Sequence, residues 1–246
     1  MISEKYCREL AENQKKISGA RPFAEPLLSR LRAYYRIGLT WSSNALEGNT
    51  LTESETKVLL EDGLTAGGKP LRDTYEAVGH AKAYDFMFSL LHHQDVSEAD
   101  ILRLHFLFYS QIDEARAGVY RQEPVFISGS SYPVTAPEDI PQAMRAFCSW
   151  LREERKQLPP VEQAALAHQK FVFIHPFIDG NGRVARLLMN VVLIQNGWLP
   201  AVIPPIRRAE YIRLLEKAHE DVKPFTDFIA EMEIEAQREM IRLLHL

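Results

Sequence analysis

The stretch His175-Pro-Phe-Ile-Asp-Gly-Asn-Gly-Arg-Val-Ala-Arg186 is the part of the sequence on which the prediction of the fold depends most. Apolar residues recur at helical spacing before it, over 161–172, and again after it, over 187–194. Both flanks are therefore predicted to be helices. The stretch between them is predicted to be the loop of a helix–loop–helix joint.

The middle of this loop has the composition of an anion site. Gly180, Asn181 and Gly182 tolerate positive φ just before a helix start, so their backbone N–H groups are predicted to form a small nest. The helix N-terminus adds roughly half a positive charge. Arg183 and Arg186 lie three residues apart on one face, where cations are unfavourable by about 0.3–1 kcal/mol each. A bound anion is therefore expected, and phosphate groups suit helix N-termini and forked guanidinium groups.

Two residues beside the nest could supply chemistry. Asp179 offers a hard carboxylate, and Mg²⁺ is commonly held by one or two carboxylates together with substrate oxygens. His175 has an unperturbed pKa of about 6.5 and could accept a proton from an attacking hydroxyl. The alternative is a glycine-rich turn with surface arginines and a packed histidine. That alternative requires base, carboxylate, nest and two arginines to coincide by chance within one short loop.

This loop resembles the signature of the Fic family, His-x-Phe-x-(Asp/Glu)-Gly-Asn-Gly-Arg-x-x-Arg, and matches it at every specified position. The resemblance implies an all-α helical bundle with a short β-hairpin flap over the active site. It also implies transfer of AMP from ATP to a Ser, Thr or Tyr hydroxyl of a target protein. His175 would be the general base and Asp179 would hold Mg²⁺. The nest and Arg183 would bind the α and β phosphates, Arg186 would reach the γ phosphate, and Phe177 would anchor the loop.

A second informative stretch lies over about 40–49, after an amphipathic helix predicted from Pro26 to about Gly38. Ser43 and Glu47 are four apart and share a face if the segment is helical. On spacing alone, a glutamate at a helix end is usually just solvated. The segment, however, is similar to the inhibitory motif of Fic proteins, (Ser/Thr)-x-x-x-Glu-(Gly/Asn), with Ser43, Glu47 and Gly48 matching.

This second resemblance implies that the chain inhibits itself. Glu47 would form a bidentate pair with Arg186 and occupy the guanidinium group that should bind the γ phosphate. ATP would then bind with its α phosphate misplaced, and a small misplacement near the chemistry can cost about a hundredfold in rate. In some relatives the same glutamate is implied in the removal of AMP. The sequence leaves open whether Glu47 does so.

Residues 124–133 carry the one convincing β signal, with alternating apolar residues around a turn-rich tip. A surface hairpin without a functional role is the alternative. The resemblance makes this segment the flap, with Ser128, Gly129 and Ser130 near the nucleotide. The edge of the flap could bind an extended target segment by β-strand addition.

The C-terminal part of the sequence matches relatives less closely around the nucleotide base. Tyr211 matches a tyrosine that relatives use beside the nucleotide. Ile212 stands where close relatives often have a second tyrosine, and His219 where they often have an asparagine that contacts adenine. These differences leave base selectivity open.

Composition narrows the partners and the location. A net charge of −4 and a pI near 6.1 give no basic footprint for nucleic acid. Cys7 and Cys148 have neither a pairing framework nor metal-ligand spacing, which predicts a reduced, intracellular protein. We find neither an 18-residue apolar run nor a signal-peptide pattern, so a cytoplasmic protein without a membrane anchor is expected.

We predict an N-terminal helical region over 1–95 that carries the inhibitory helix, a catalytic core over 96–205, and C-terminal helices over 206–246 that pack on the core. Two other functions are considered. A phosphotransferase of the same superfamily is disfavoured by Gly182, and a catalytically silent ATP-binding regulator is disfavoured by the intact His175 and Asp179. The sequence leaves open the target, automodification, the signal that relieves inhibition, and formation of a homodimer.

Overall fold

The computed structural model describes residues 2–93, 95–154 and 157–246, and within these ranges the secondary structure is helical. Three 3-10 turns, at Leu90–His92, Pro137–Asp139 and Pro205–Arg207, accompany ten α-helices in this part of the chain. The α-helices are α1 Glu4–Gly19, α2 Glu25–Ala45, α3 Glu53–Asp62, α4 Leu71–Ser89, α5 Glu98–Tyr109, α6 Ile140–Glu154, α7 Pro160–Ile174, α8 Asn181–Gln195, α9 Arg208–Lys217 and α10 Lys223–Leu244. The all-α prediction is confirmed.

Helix α8 is the centre of the bundle. It is buried along nearly its whole length, because α7 packs along one side and α4, α5 and α2 cover the other. Helices α6 and α10 cover α7, and α1 packs on α10. One apolar core extends from Ile2 to Met240, so the buried α8 lies at the meeting point of the N-terminal, central and C-terminal helices.

Helix α2 is longer than the sequence suggested. The expected helix ending near Gly38 and the expected inhibitory helix over 40–49 are one continuous helix of 21 residues. Gly38 does not interrupt it, and the helix ends at Ala45 in a turn that leads to Gly48 with φ 95°. Glu47 therefore lies in the turn after α2, at the end that contacts α8.

The flap segment forms a turn, but the predicted β-hairpin strands are absent from the described residues. Ser130 N donates to Ile127 O at 3.1 Å, and Gly129 takes φ 83° at the tip. The two segments that flank this turn, at Glu123 and Thr135, are the flap stems. An arginine side chain joins them, in place of backbone hydrogen bonds from one to the other. Arg121 donates through Nη1 to Glu123 O at 3.0 Å and through Nη2 to Thr135 O, so these carbonyl groups are satisfied without a ladder.

Local helix signals in the sequence agree with the structure. Thr52 with Glu55, and Ser97 with Asp100, form reciprocal capping boxes at the starts of α3 and α5. Gly63 ends α3 in the left-handed conformation, as expected of a C-cap. Among the described residues, we find no helix with the length and apolarity needed to cross a membrane.

Candidate active site

The loop between α7 and α8 has two sharp ends. His175 is the C-cap of α7 in the left-handed conformation, at φ 53° and ψ 57°, and Pro176 prevents the helix from continuing. Gly180 has φ 81° and precedes the first residue of α8. A Cβ at Gly180 would lie 2.8 Å from the ring of Phe108, so this position requires glycine for both conformation and space.

The predicted nest of three residues is wrong in its geometry. Gly180 alone of the three has positive φ, while Asn181 and Gly182 already belong to the first turn of α8. The donors available to an anion here are therefore those of a helix N-terminus, whose first N–H groups lack intrahelical acceptors. The side chain of Asn181 is turned away from such a role. It accepts from Phe177 N at 2.9 Å and donates to Phe177 O at 2.8 Å, closing the loop.

His105 of α5 contacts Phe177 and Asp179 of the loop, and this role was not predicted from the sequence. Its ring stacks on Phe177 with centroids 3.7 Å apart. Gly118 N donates to Nδ1 at 2.9 Å, so Nε2 carries the proton and donates to Asp179 O at 3.1 Å. Burial lowers the pKa of His105 to about 4, which keeps it neutral. The contact fixes the backbone on which Asp179 sits.

His175 presents one free ring nitrogen. Its Nδ1 lies 3.2 Å from Val172 O, and because a carbonyl group only accepts, Nδ1 carries the proton. Nε2 is then left as an acceptor. Burial lowers the pKa of His175, so the ring is neutral at pH 7. Arg121 Nε donates to His175 O at 2.8 Å, which ties the residue that holds the flap stems to the loop.

Arg186 is buried, at 3% exposure, and each of its nitrogens has a partner. Nε donates to Ser43 Oγ at 2.9 Å, and Nη1 donates to Tyr211 OH at 3.2 Å. Nη2 donates to both Ser43 O at 2.9 Å and Glu47 Oε1 at 2.7 Å. The expected contact between Glu47 and Arg186 is present, but it is a single hydrogen bond and not the bidentate pair that we expected, since Ser43 takes part of the guanidinium group.

The carboxylate of Glu47 lies against the start of α8. A Cβ at Gly182 would clash with Glu47 Oε1, so glycine at this position lets the carboxylate approach the helix. Burial opposes ionisation of Glu47, but Arg186 and Arg183 together outweigh it and lower the pKa of Glu47. Glu47 is therefore an anion at the place where the helix N-terminus offers its donors.

Arg183 and Asp179 belong to a group of four charged side chains, completed by Arg72 and Glu76 of α4, which we call the charge ring. Arg183 is buried and contacts Glu76 Oε1 and Asp179 Oδ1, each at 3.0 Å. Arg72 contacts Asp179 Oδ2 at 2.7 Å and Glu76 Oε1 at 3.2 Å. Arg72 and Glu76 could not be assigned to this site from the sequence, because they are distant from the loop along the chain.

A small cavity of about 150 Å³ joins these parts. It is lined by Glu47, Ile127, Ser128, Gly129, Ser130, Val172, Phe173, His175, Gly182, Tyr211, Ile212, Leu215, Glu216 and His219. Ligand pockets usually measure about 300–1,000 Å³, so in this conformation the cavity is narrower than a nucleotide requires. Glu216 holds the flap down by accepting from Ser130 Oγ at 2.8 Å and Ser131 N at 2.7 Å.

The two ends of the cavity differ. At one end, Tyr211 OH lies between Arg186 and His168 Nε2, 2.9 Å from the latter. At the other, the ring of His219 is stacked between Phe173 at 3.5 Å and Tyr132 at 3.9 Å. The substitution of His219 for the expected asparagine thus fills this end with an aromatic stack.

Asp179 fits the expected Mg²⁺ ligand. Its carboxylate is 38% exposed, and the residue lies two positions before the first residue of α8. Within the described ranges, no group of three or more His, Cys, Asp or Glu side chains could hold a metal ion. A single carboxylate is nonetheless suited to Mg²⁺ that is bound mainly through substrate phosphates.

Fold and site together define a class: an all-helical protein in which a histidine and a carboxylate lie in the loop before a buried helix, and two arginines lie in the first two turns of that helix. The chain belongs to the Fic/DOC family, whose model matches residues 95–193. Fic-1 (aa134–508) from C. elegans superposes with a TM-score of 0.89 and 32% identity, over 98% of this chain and 72% of that one. A Fic domain containing signaling protein from Bacteroides thetaiotaomicron superposes with a TM-score of 0.85 and 28% identity, over 95% of both chains.

Curated relatives carry an activity in their names. The "Protein adenylyltransferase Fic" of Drosophila melanogaster is 39% identical over 194 residues, which cover 78% of this chain and 39% of the relative. The same name and coverage apply to the Drosophila simulans protein. The chain thus spans about two fifths of the length of the curated relatives it matches.

Proposed function

We propose that this chain is a protein adenylyltransferase, which moves AMP from ATP to a Ser, Thr or Tyr hydroxyl of a target protein. The names of the relatives support the reaction. The observation that carries the proposal is the placement of His175, Gly182 and Glu47 around one cavity, with Glu47 bonded to Arg186. The proposal is that His175, the N-terminus of α8 and Arg186, which is reached through Glu47, act on one ligand.

In the proposed reaction, the target hydroxyl attacks the α phosphorus of ATP. His175 Nε2 takes the hydroxyl proton, an oxygen–phosphorus bond forms, and the bond to pyrophosphate breaks. The N-terminus of α8 and Arg183 hold the α and β phosphates, and Arg186 holds the γ phosphate. Asp179 would hold Mg²⁺, which supplies neutralisation of the phosphate charge.

Self-inhibition by Glu47 is part of the proposal. Its carboxylate takes one of the Arg186 donors, and it lies against Gly182 where a phosphate group would bind. The cavity of about 150 Å³ is below the usual range for a ligand pocket, so the phosphates are not expected to reach their productive position until this side chain moves. Ser43 and Gly48 support the inhibitory position, because Ser43 holds Arg186 and Gly48 ends the turn that carries Glu47.

The flap is proposed to position the target. Ser128, Gly129 and Ser130 line the cavity, and Tyr211 lines its opposite side. Since the flap stems make no strand ladder with each other, their main-chain groups are suited to an added extended segment. Removal of AMP, automodification and a homodimer stay open, while absence of nucleic-acid binding and a cytoplasmic location stay predictions.

The test compares wild type, Glu47→Gly and His175→Ala in the presence of Mg²⁺, candidate targets and ATP labelled at the α or the γ phosphate. We expect α label on protein with Glu47→Gly, on the order of a hundredfold less with wild type. With His175→Ala in the Glu47→Gly background, transfer should fall by about 10²–10⁴. Retained γ label would favour the phosphotransferase, and no label in any variant would favour the silent regulator.

A further inference from the structure

Both oxygens of Asp179 are already engaged by cations in the charge ring. Oδ1 accepts from Gly180 N at 2.6 Å and from Arg183 Nη2 at 3.0 Å. Oδ2 accepts from Arg72 Nη2 at 2.7 Å. The two arginines and the two carboxylates of the ring balance in charge. A divalent cation bound to Asp179 would lie beside these guanidinium groups and be repelled by them, so its binding is favoured if one of them leaves.

The two arginines differ in their freedom to leave. Arg183 is 4% exposed in its side chain, bonded to Glu76, and stacked 4.4 Å above the ring of Phe108. Arg72 is 56% exposed, and it reaches Asp179 from the first turn of α4 at the edge of the site. Because the Arg72 side chain is more than half exposed and its bond to Asp179 lies at the surface, it is the cation that can be exchanged.

We propose that Arg72 is a stand-in cation for the metal: it occupies Asp179 Oδ2 until a divalent ion replaces it there. The inference rests on the proposed function, which assigns Asp179 as the metal ligand. After the exchange, Arg72 retains Glu76 Oε1, which lies 3.2 Å from its Nε. Arg72 is thus a positioning residue that keeps the ring neutral and the Asp179 carboxylate in place while the site is empty of nucleotide.

Glu76 extends this arrangement to the inhibitory segment. Asn49, two residues after Glu47, donates through Nδ2 to Glu76 Oε2 at 2.9 Å, while Glu76 Oε1 is shared by Arg72 and Arg183. The same carboxylate therefore contacts the end of the inhibitory turn and both arginines of the metal site. Loss of the bond between Arg72 Nη2 and Asp179 is expected to leave the contacts of Glu76 intact, because Arg72 contacts Glu76 through Nε.

The experiment measures how strongly Mg²⁺ increases nucleotide affinity, using a non-hydrolysable ATP analogue in calorimetry. All proteins carry Glu47→Gly, so that the inhibitory carboxylate does not interfere. The quantity is the Kd in EDTA divided by the Kd in Mg²⁺, which we call the metal ratio. Arg72→Ala should raise the metal ratio by about two- to fivefold, the change that loss of one partly exposed ion pair produces. Arg72→Lys, which keeps the charge, should stay close to the parent.

Two controls separate this inference from the proposed function. Arg36→Ala removes another arginine that pairs with an aspartate, Asp85 at 2.9 Å, far from the loop, and should leave the metal ratio unchanged. Asp179→Ala should bring the metal ratio close to one, because the protein then lacks the carboxylate proposed to hold the metal. If Asp179→Ala keeps the parent ratio, the metal assignment in the proposed function is wrong.

If Asp179→Ala loses the metal effect but Arg72→Ala leaves the ratio unchanged, the stand-in role alone is overturned. An Arg72→Ala protein that binds the analogue more weakly in EDTA, with no gain in the ratio, would also overturn it. Arg72 would then be a phosphate ligand and not a substitute for the metal.

Discussion

An arginine of α8, Arg186, and an arginine of α4, Arg72, each contact a carboxylate, but the two arginines differ in exposure. Arg186, at the inner end of the site, is 4% exposed in its side chain and bonds to Glu47, which is 35% exposed. At the outer end, Arg72 and Asp179 of the charge ring are 56% and 38% exposed. The inner contact brings together segments 139 residues apart, and the outer one segments 107 apart.

The difference indicates which contacts can be exchanged readily. Buried hydrogen bonds act in a medium of low dielectric, where an unpaired partner is costly. Exposed ion pairs are screened by water and salt and contribute about 0–1 kcal/mol. We therefore expect the inner end to govern stability and inhibition, and the outer end to respond mainly to ions.

The largest expected effect is acid sensitivity of the inner end. Burial, assisted by Arg186, lowers the pKa of His168 to about 3, and burial with both α8 arginines lowers that of His80 to about 3. An unfolded histidine binds a proton near pH 6.5, so below that pH the unfolded chain binds more protons and stability falls. The two histidines together should remove roughly 3 kcal/mol between pH 6.5 and 5. Urea unfolding across this range measures the loss.

His168→Gln is the matched control, because glutamine can accept from Tyr211 OH but does not titrate in this range. The slope of stability against pH should become shallower by about 1.4 kcal/mol per pH unit. A slope equal to that of wild type would show that His168 is protonated in the folded chain.

The second effect concerns Arg186 itself. Replacement by Met keeps much of the length but removes the bonds to Ser43, Tyr211 and Glu47. We expect the free energy of unfolding to fall by about 2–4 kcal/mol, somewhat less than for a fully buried pair, since Glu47 can regain water. Denaturant unfolding at pH 7.5 tests this, with Arg72→Met as the partner variant at the outer end. Equal losses in the two variants would contradict the distinction between the ends.

Much of the fold could be predicted because it is encoded locally. Helical spacing located α7 and α8, and the capping boxes at Thr52 and Ser97 depend on residues three apart. The sharp loop was also predicted, since Pro176 and Gly180 act on their own backbone. The length of α2 was missed because Gly38 only weakens a helix, by about 1 kcal/mol, and packing on α4 outweighs that.

Only the parts of the site that lie in the loop 175–186 and in the motif of Ser43, Glu47 and Gly48 could be predicted from the sequence. The bond between Glu47 and Arg186 was expected from resemblance, and the structure contains it. The contacts of His105, Arg121 and the α4 members of the charge ring could not be found, because they join segments that meet only in the folded chain. The flap strands were predicted wrongly, since periodicity cannot reveal that a buried arginine satisfies the stems.

A third, smaller effect should follow from Tyr211→Phe. The hydroxyl accepts from Arg186 Nη1 and contacts His168 Nε2, and the tyrosine is 2% exposed. Its loss leaves two buried groups without this partner and should cost about 1–3 kcal/mol. Thermal and urea unfolding measure it, and addition of 0.5 M NaCl should leave the difference nearly unchanged, because the contact is shielded from solvent. Loss of the difference in salt would place this hydroxyl with the exposed contacts.

The smallest effect is expected at the outer end, from Arg72→Ala in the otherwise unchanged chain. The variant loses two partly exposed contacts, to Asp179 and Glu76, but Arg183 still pairs with both carboxylates. The free energy of unfolding should therefore fall by less than about 1 kcal/mol at low salt, and the difference should shrink further as NaCl is raised. Because Arg183 is buried and cannot be screened in the same way, Arg183→Ala should lose more and keep the loss in salt. A large, salt-independent loss for Arg72→Ala would mean that the charge ring is as rigid as the inner end, and that Arg72 could not give way to a metal ion.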